Sequence, residues 1–188
     1  MREEIVPASA ARWRDLERLF GPRGAYSNCW CMYWRLRRKD FSSLTPQDRK
    51  QAFRGWIRSG AEPGLIAYRG GKPVAWCAVA PREEYVAISA SPALKRLENN
   101  GTWSITCYFV AKDHRRTGLM SALLDAAVRH ARKRGARMVE GFPVEADALR
   151  GCDGYSGLVP VYRKAGFRRV ASMGSKRVMR RAVSPGTG

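Results

Sequence analysis

Acidic residues are scarce in this chain. Sixteen Asp and Glu stand against 35 Lys and Arg in 188 residues, and none follows Asp153. The resulting net charge of +19 favours a polyanionic partner, most simply nucleic acid. The plainer reading is an Arg-rich surface composition, which explains Arg over Lys but leaves the shortage of acids unexplained. Histidine is limited to His114 and His130, read as a turn residue and an exposed helix-face residue. With no histidine near a cysteine in sequence, neither Cys29 nor Cys107 reads as a nucleophile. No run approaches about 18 consecutive apolar residues, so no membrane-spanning helix is expected. The first residues, Met1–Val6, lack an apolar signal core. The five cysteines form neither paired Cys-x-x-Cys nor Cys/His zinc spacing. No metal is therefore expected, and the thiols read as reduced and cytoplasmic. There is no internal repeat and no dividing linker. One domain is expected over residues 1–183, with a disordered tail at 184–188.

What is present is a regular alternation of elements. An edge strand over residues 2–7 precedes a helix opened by Ser9, with Trp13, Leu16, Leu19 and Phe20 on one face. Thr45-Pro46 opens a second helix that runs to Gly60. Residues 64–69 and 73–80, joined by Gly70-Gly71, read as a hairpin. Late in the chain a helix over 158–165, closed by Gly166, leads to strands over 167–171 and 176–182.

The densest pattern lies at 103–141. Residues 103–110 alternate and carry β-branched and aromatic side chains, which predicts a buried strand. From Leu119 the apolar residues Met120, Leu123, Leu124, Ala127, Val128 and Ala131 fall on one helix face. Thr117 reads as the N-cap and Gly135 as the residue that ends the helix. A strand resumes at 137–142. Strand, basic turn, helix, strand is a βαβ unit whose turn aims backbone N–H groups and the positive helix end at one point, an anion site.

These residues resemble a known family. Phe109-Val110, the turn Arg115-Arg116-Thr117-Gly118-Leu119 and the later segment 161–167, Val-Tyr-Arg-Lys-Ala-Gly-Phe, are similar to the acyl-CoA core and C-terminal signature of the GNAT N-acetyltransferase superfamily. The segment 29–35, Cys-Trp-Cys-Met-Tyr-Trp-Arg, with 76–82, is similar to a bacterial subgroup of it. Met120 stands where the family turn has a small residue. The resemblance implies an α/β fold with a mixed, mostly antiparallel sheet flanked by helices, and acyl transfer to a primary amine. It implies that Phe109, Val110, Arg115, Arg116, Thr117, Gly118 and Leu119 hold the acyl donor. It also implies that Tyr162 protonates the leaving group, as a phenol can when its pKa near ~10 is lowered. Glu145 is the candidate base, with Asp147, Glu83 and Glu84 as alternatives. A neutral amine needs no strong base. Cys29, Trp30 and Trp34 read either as an acceptor pocket or, by their alternation with Met32, as core packing.

Two donors fit the resemblance. One is acyl-CoA, chiefly acetyl-CoA. The other, narrowly favoured by the charge and by Met120, is an aminoacyl-tRNA, as used by related enzymes of natural-product biosynthesis. Its phosphates would meet Arg35, Arg37, Arg38 and Lys39, then Arg132, Lys133 and Arg134, then Arg163, Lys164, Arg168 and Arg169. The acceptor would be a small-molecule amine, and the protein a monomer or homodimer. A third reading, of another class, is a nucleic-acid-binding module without catalysis.

Overall fold

β4 (Thr102–Val110) lies at the centre of a seven-stranded sheet whose order is β1-β2-β3-β4-β5-β7-β6 in the computed structural model, which describes residues 3–148 and 151–184. The other strands are β1 (Glu3–Pro7), β2 (Gly64–Arg69), β3 (Lys72–Pro81), β5 (Met138–Gly141), β6 (Arg168–Met173) and β7 (Lys176–Ala182). Only β4 and β5 pair in parallel; every other neighbour is antiparallel. This is the single-domain α/β architecture expected, a mixed and mostly antiparallel sheet flanked by helices. Of the expected tail, residues 185–188 lie outside the described residues, as do residues 1–2, 149 and 150.

Alternation along β3 sends its side chains to two cores. Ala75, Cys77 and Val79 face a core built with α6 (Leu119–Lys133) and α7 (Val159–Lys164). Trp76 and Ala78 face the opposite side, where α1 (Trp13–Phe20) and α3 (Pro46–Arg58) supply Trp13, Leu16, Phe20, Phe53 and Ile57. Further along that side Ala80 meets Tyr85, Ile88 and Leu94, next to the short helices α4 (Val86–Ser89) and α5 (Pro92–Lys95). One more helix, α2 (Arg38–Ser43), follows the Cys29–Arg35 segment. The apolar stripe of α6 is buried as its spacing predicts, apart from the half-buried Met120, and Gly135 takes φ +84 where the helix ends.

Caps divide the expectations. Thr45 and Asp48 form a reciprocal capping box at α3. Ser9 makes no cap bond; its hydroxyl instead accepts from Arg12. Thr117 does not cap α6 either. Its hydroxyl donates to the His114 carbonyl at 2.7 Å and accepts from Arg69 at 2.9 Å, and the N-cap is Gly118 in the left-handed region.

The centre of the sheet is interrupted twice on β4. β4 pairs with β5 only from Thr102 to Ile105, after which the two strands part. Against β3, Ala78 faces Cys107 and Val79 faces Ile105, so Thr106 is an extra residue, a β-bulge. Both interruptions fall at the same level of the sheet, and the candidate site opens there.

Candidate active site

The basic turn between β4 and α6 occupies one side of this opening. A cavity of about 500 Å³ lies between the end of β4, the turn and the start of α6. Tyr108 and Val110 line it from the strand, and His114, Arg115 and Arg116 from the turn. Gly118, Leu119 and Met120 line it from the helix. Arg115 Nε donates to the Val110 carbonyl at 3.1 Å, tying the turn back to the strand. Arg116 and Gly118 both have positive φ, which curls the backbone around the helix start. The first N–H groups of a helix have no intrahelical partner, and they point here along with the positive end of a 15-residue helix. Nothing lies within 4 Å of the place a Cβ on Gly118 would take, so the turn is open above the cavity. Cation side chains, free amides and open space suit a diphosphate-bearing group. Met120 is half-buried and forms part of the cavity wall without filling it.

Behind that wall lies a pair of phenols. Tyr108 and Tyr162 place their hydroxyls 3.0 Å apart, both buried, and their rings close around Gly157, where a Cβ would meet each at about 3 Å. Burial pushes both phenols above the ordinary tyrosine range, with each affected by the other. They therefore stay protonated at neutral pH, and the lowered pKa that the resemblance implies for Tyr162 is not found, because its burial acts in the opposite direction. Tyr162 has no exposed surface and does not line the cavity; its hydroxyl bonds to that of Tyr108, which does.

The other side of the opening holds a second cavity, of about 390 Å³. Ala78, Thr106 and Cys107 form its floor on the sheet, and Cys29, Cys31 and Trp34 come from the segment after α1. Ser156 and Lys176, bonded to each other at 2.6 Å, close one edge. Burial pushes the Cys29 thiol up to about 11, with Cys31 adding to it, and holds Cys31 well above the ordinary range. Trp76 Nε1 donates to Cys31 Sγ at 3.0 Å. These are protonated thiols that shape a wall. Tyr155 lines both cavities, its ring stacked on Phe109 at 6.3 Å and 7°. The two chambers thus meet at Tyr155, over the bulge of β4.

The resemblance leads one to expect a donor turn before α6 and an acceptor pocket; the bulge at Thr106 and the parting of β4 from β5 come from the structure. The sequence profile of the Acetyltransferase (GNAT) family matches residues 30–167, well over half of the chain. The chain belongs to the GNAT family. Solved structures with the same fold include the PaiA N-acetyltransferase of Thermoplasma acidophilum in complex with coenzyme A. It is 14% identical, with TM-score 0.58, and the match covers 97% of this chain and 100% of that one. Another is a phosphinothricin acetyltransferase of Sinorhizobium meliloti in complex with acetyl-CoA, at 13% identity and TM-score 0.58, covering 100% and 91%. A ribosomal-protein-alanine N-acetyltransferase of Brucella melitensis is similar at 16% and TM-score 0.56, covering 96% and 99%. No curated protein sequence matches. At these identities the structures speak for the fold alone.

Several site assignments change on this GNAT frame. Glu145 lines neither chamber; it pairs with Arg177 at 3.4 Å, which removes it as the base in this arrangement. Trp30 belongs to the core, where it stacks against Trp13 and Phe20. Cys29 and Trp34 line the second chamber. Phe109 does not line the donor cavity itself but backs the Tyr155 ring. Thr117 sits beside it, engaged by Arg69.

Among the expected phosphate contacts, Arg35 is buried. It lies between the Trp56 and Tyr85 rings, 4.3 and 4.5 Å from their centroids, and pairs with Glu84 at 2.7 Å. It is a core residue and cannot reach an external phosphate. Arg134 is exposed but engaged by Glu62. Arg132 and Lys133 are exposed at the far end of α6, about 20 Å along the helix from the turn at 1.5 Å per residue. Arg37, Arg38 and Lys39 are exposed near the second chamber, and Arg163, Lys164, Arg168 and Arg169 on α7 and β6. They form separate groups and no single stripe into the site. His130 is not an exposed helix residue: its side chain is 10% exposed and packs edge-on to Trp103.

Sequence reasoning missed Thr106, Tyr155 and Arg38 as lining residues. A large aromatic between glycines, as in Gly154-Tyr155-Ser156-Gly157, was the one available signal for Tyr155.

Proposed function

We propose that this protein is an acetyl-CoA-dependent N-acetyltransferase acting on the primary amine of a small molecule. The observation that carries the reading is the meeting of two chambers at Tyr155, one ending in an anion-binding helix terminus and the other lined by aromatic side chains. When bound, acetyl-CoA supplies a thioester carbonyl as the acyl group. Arg115, Arg116 and the first amides of α6 hold its diphosphate by charge and by N–H donation. The bulge at Thr106 frees backbone groups of β4 from the sheet ladder, and an N–H held there favours negative charge on an attacked carbonyl. Tyr108, neutral and at the cavity wall, stabilises a departing thiolate by donating a hydrogen bond, with Tyr162 hydrogen-bonded behind it. The amine attacks in its neutral form.

A second reading keeps the same acyl-transfer chemistry with an aminoacyl-tRNA as donor. It is supported by the charge of +19 alone. The burial of Arg35 and the separation of the other basic groups weaken it. A catalytically silent nucleic-acid-binding module is weaker still, since it leaves both chambers without a use.

Titration of the purified protein with acetyl-CoA and with bulk tRNA, at about 50 and 200 mM salt, separates these readings, because several phosphate contacts lose orders of magnitude over that range. We expect micromolar acetyl-CoA binding and weak tRNA binding. Tight, salt-sensitive tRNA binding without acetyl-CoA binding would reverse the choice of donor. In the same protein Tyr108→Phe should leave acetyl-CoA affinity within about twofold while lowering kcat by 10²-fold or so, the range for a positioned proton-sharing group.

A further inference from the structure

The acceptor-side chamber has a chemical character of its own. Five aromatic side chains line it: Tyr26, Tyr33, Trp34, Phe41 and Tyr155. They fall into two groups. Tyr26 and Tyr155 have ring centroids 4.9 Å apart. Tyr33 stands edge-on to Trp34 at 4.9 Å and to Phe41 at 5.3 Å. Tyr26 and Tyr33 keep 44% and 37% of their surface exposed. Apolar side chains this large and this exposed, facing a shared cavity, mark a place where a ligand ring is buried.

Arg38 lines the same chamber. Its guanidinium lies 5.1 Å over the Tyr33 ring and donates to the Tyr33 hydroxyl. Among the described residues no carboxylate pairs with it, whereas Arg35, Arg69, Arg82, Arg134 and Arg177 each meet an acid. An arginine held in place by a neutral hydroxyl, with its remaining N–H donors at a cavity wall, presents a fork that matches a carboxylate. Thr106 and Cys107 on the floor directly precede Tyr108, which lines the first cavity, so the reacting amine has to reach that end.

We propose that the acceptor is an aromatic amino acid-type molecule: a primary amine on a body carrying one aromatic ring and one carboxylate. The ring lies among the two aromatic groups, the carboxylate on Arg38, and the amine toward Thr106 and Cys107. This rests on the acyl-transfer reading only for the direction in which the amine points.

Binding tests it without any donor. Calorimetric titration of the protein with para-(aminomethyl)benzoate, with its methyl ester and with aminohexanoate separates charge from ring. We expect the aromatic acid to bind about tenfold more tightly than its ester, as a charge-assisted hydrogen bond provides. It should also bind more tightly than the aliphatic acid by about three- to tenfold, from the ring contacts. Arg38→Gln, at an exposed position, should abolish the gap between acid and ester and leave the ester's Kd unchanged. Equal binding of acid and ester, equal binding of the aromatic and aliphatic acids, or an Arg38→Gln variant that weakens acid and ester alike would each overturn the proposal. Acetyl-CoA binding is measured separately, so failure here leaves the donor reading standing. Failure of acetyl-CoA binding would in turn leave the acceptor preference measurable.

Discussion

At Glu140 a carboxylate with no exposed surface accepts from Arg82, from Arg180 at 3.0 Å and from the Ser104 hydroxyl at 2.7 Å. A lone buried charge would cost several kcal/mol, and only a full set of donors makes it tolerable. Ser104 and Glu140 face one another one step before the pairing of β4 and β5 ends, so the cluster pins the strands where they begin to part. A carboxylate this well engaged is a structural anchor and not a free base. His130 shows the reverse situation. Its imidazole is held against Trp103, with Nε2 3.7 Å from Glu62 and without a hydrogen bond among the described residues. Burial lowers its pKa below 6.5, Arg134 and Lys133 push the same way, and Glu62 opposes them. The unfolded chain therefore binds a proton more readily than the folded one. Stability should fall as pH drops below about 6.5 and level off once pH passes the lowered folded value. Urea titrations across that range check this, and His130→Gln should flatten the slope.

Among the elements, those with a strong period were legible from residues alone. The α6 stripe, the β4 alternation, the Gly70-Gly71 hairpin and the Thr45 cap all appear where spacing and capping chemistry place them. The features that make the site were not, because none of them is periodic. The bulge at Thr106 depends on how two strands register, which no single strand encodes. Tyr155 enters from an irregular segment, and Arg35 reads as part of a basic run until Trp56 and Tyr85, far away in sequence, enclose it. The turn into α6 falls between these extremes. Its Gly118 was recognisable, yet the reason for glycine is φ +83 and not crowding, since the Cβ position is empty. Gly118→Ala should therefore cost about 1 kcal/mol of stability in urea denaturation, the usual penalty for a non-glycine residue in the left-handed region. The same change should weaken acetyl-CoA binding, because the strained turn relaxes by moving the amides that face the diphosphate.

For the molecule as a whole, the excess of positive charge is spread and partly internal. Arg82, Arg35 and Arg180 are buried beside Glu140 or Glu84, and Arg69 and Arg177 are matched on the surface by Glu3 and Glu145. What remains exposed is scattered over most elements: Arg14 on α1, Arg54 and Arg58 on α3, Lys112, Arg115 and Arg116 in the turn before α6, and further residues on α2, the far end of α6, α7 and β6. Such a distribution raises the encounter rate with any anion, an acidic acceptor or a diphosphate donor included, without specifying one. The partition between the two chambers has a further implication. Because Tyr155 is a wall of each, a molecule that settles against one side of its ring alters the surface offered to the other. Thermodynamic reciprocity then requires the two ligands to change each other's affinity by one common factor, whichever arrives first. Measuring Kd for acetyl-CoA with and without the aromatic acid, and the reverse, should give equal ratios. In Tyr155→Ala that shared ratio should fall to one, leaving an enzyme that fills its two seats as if they were on different proteins.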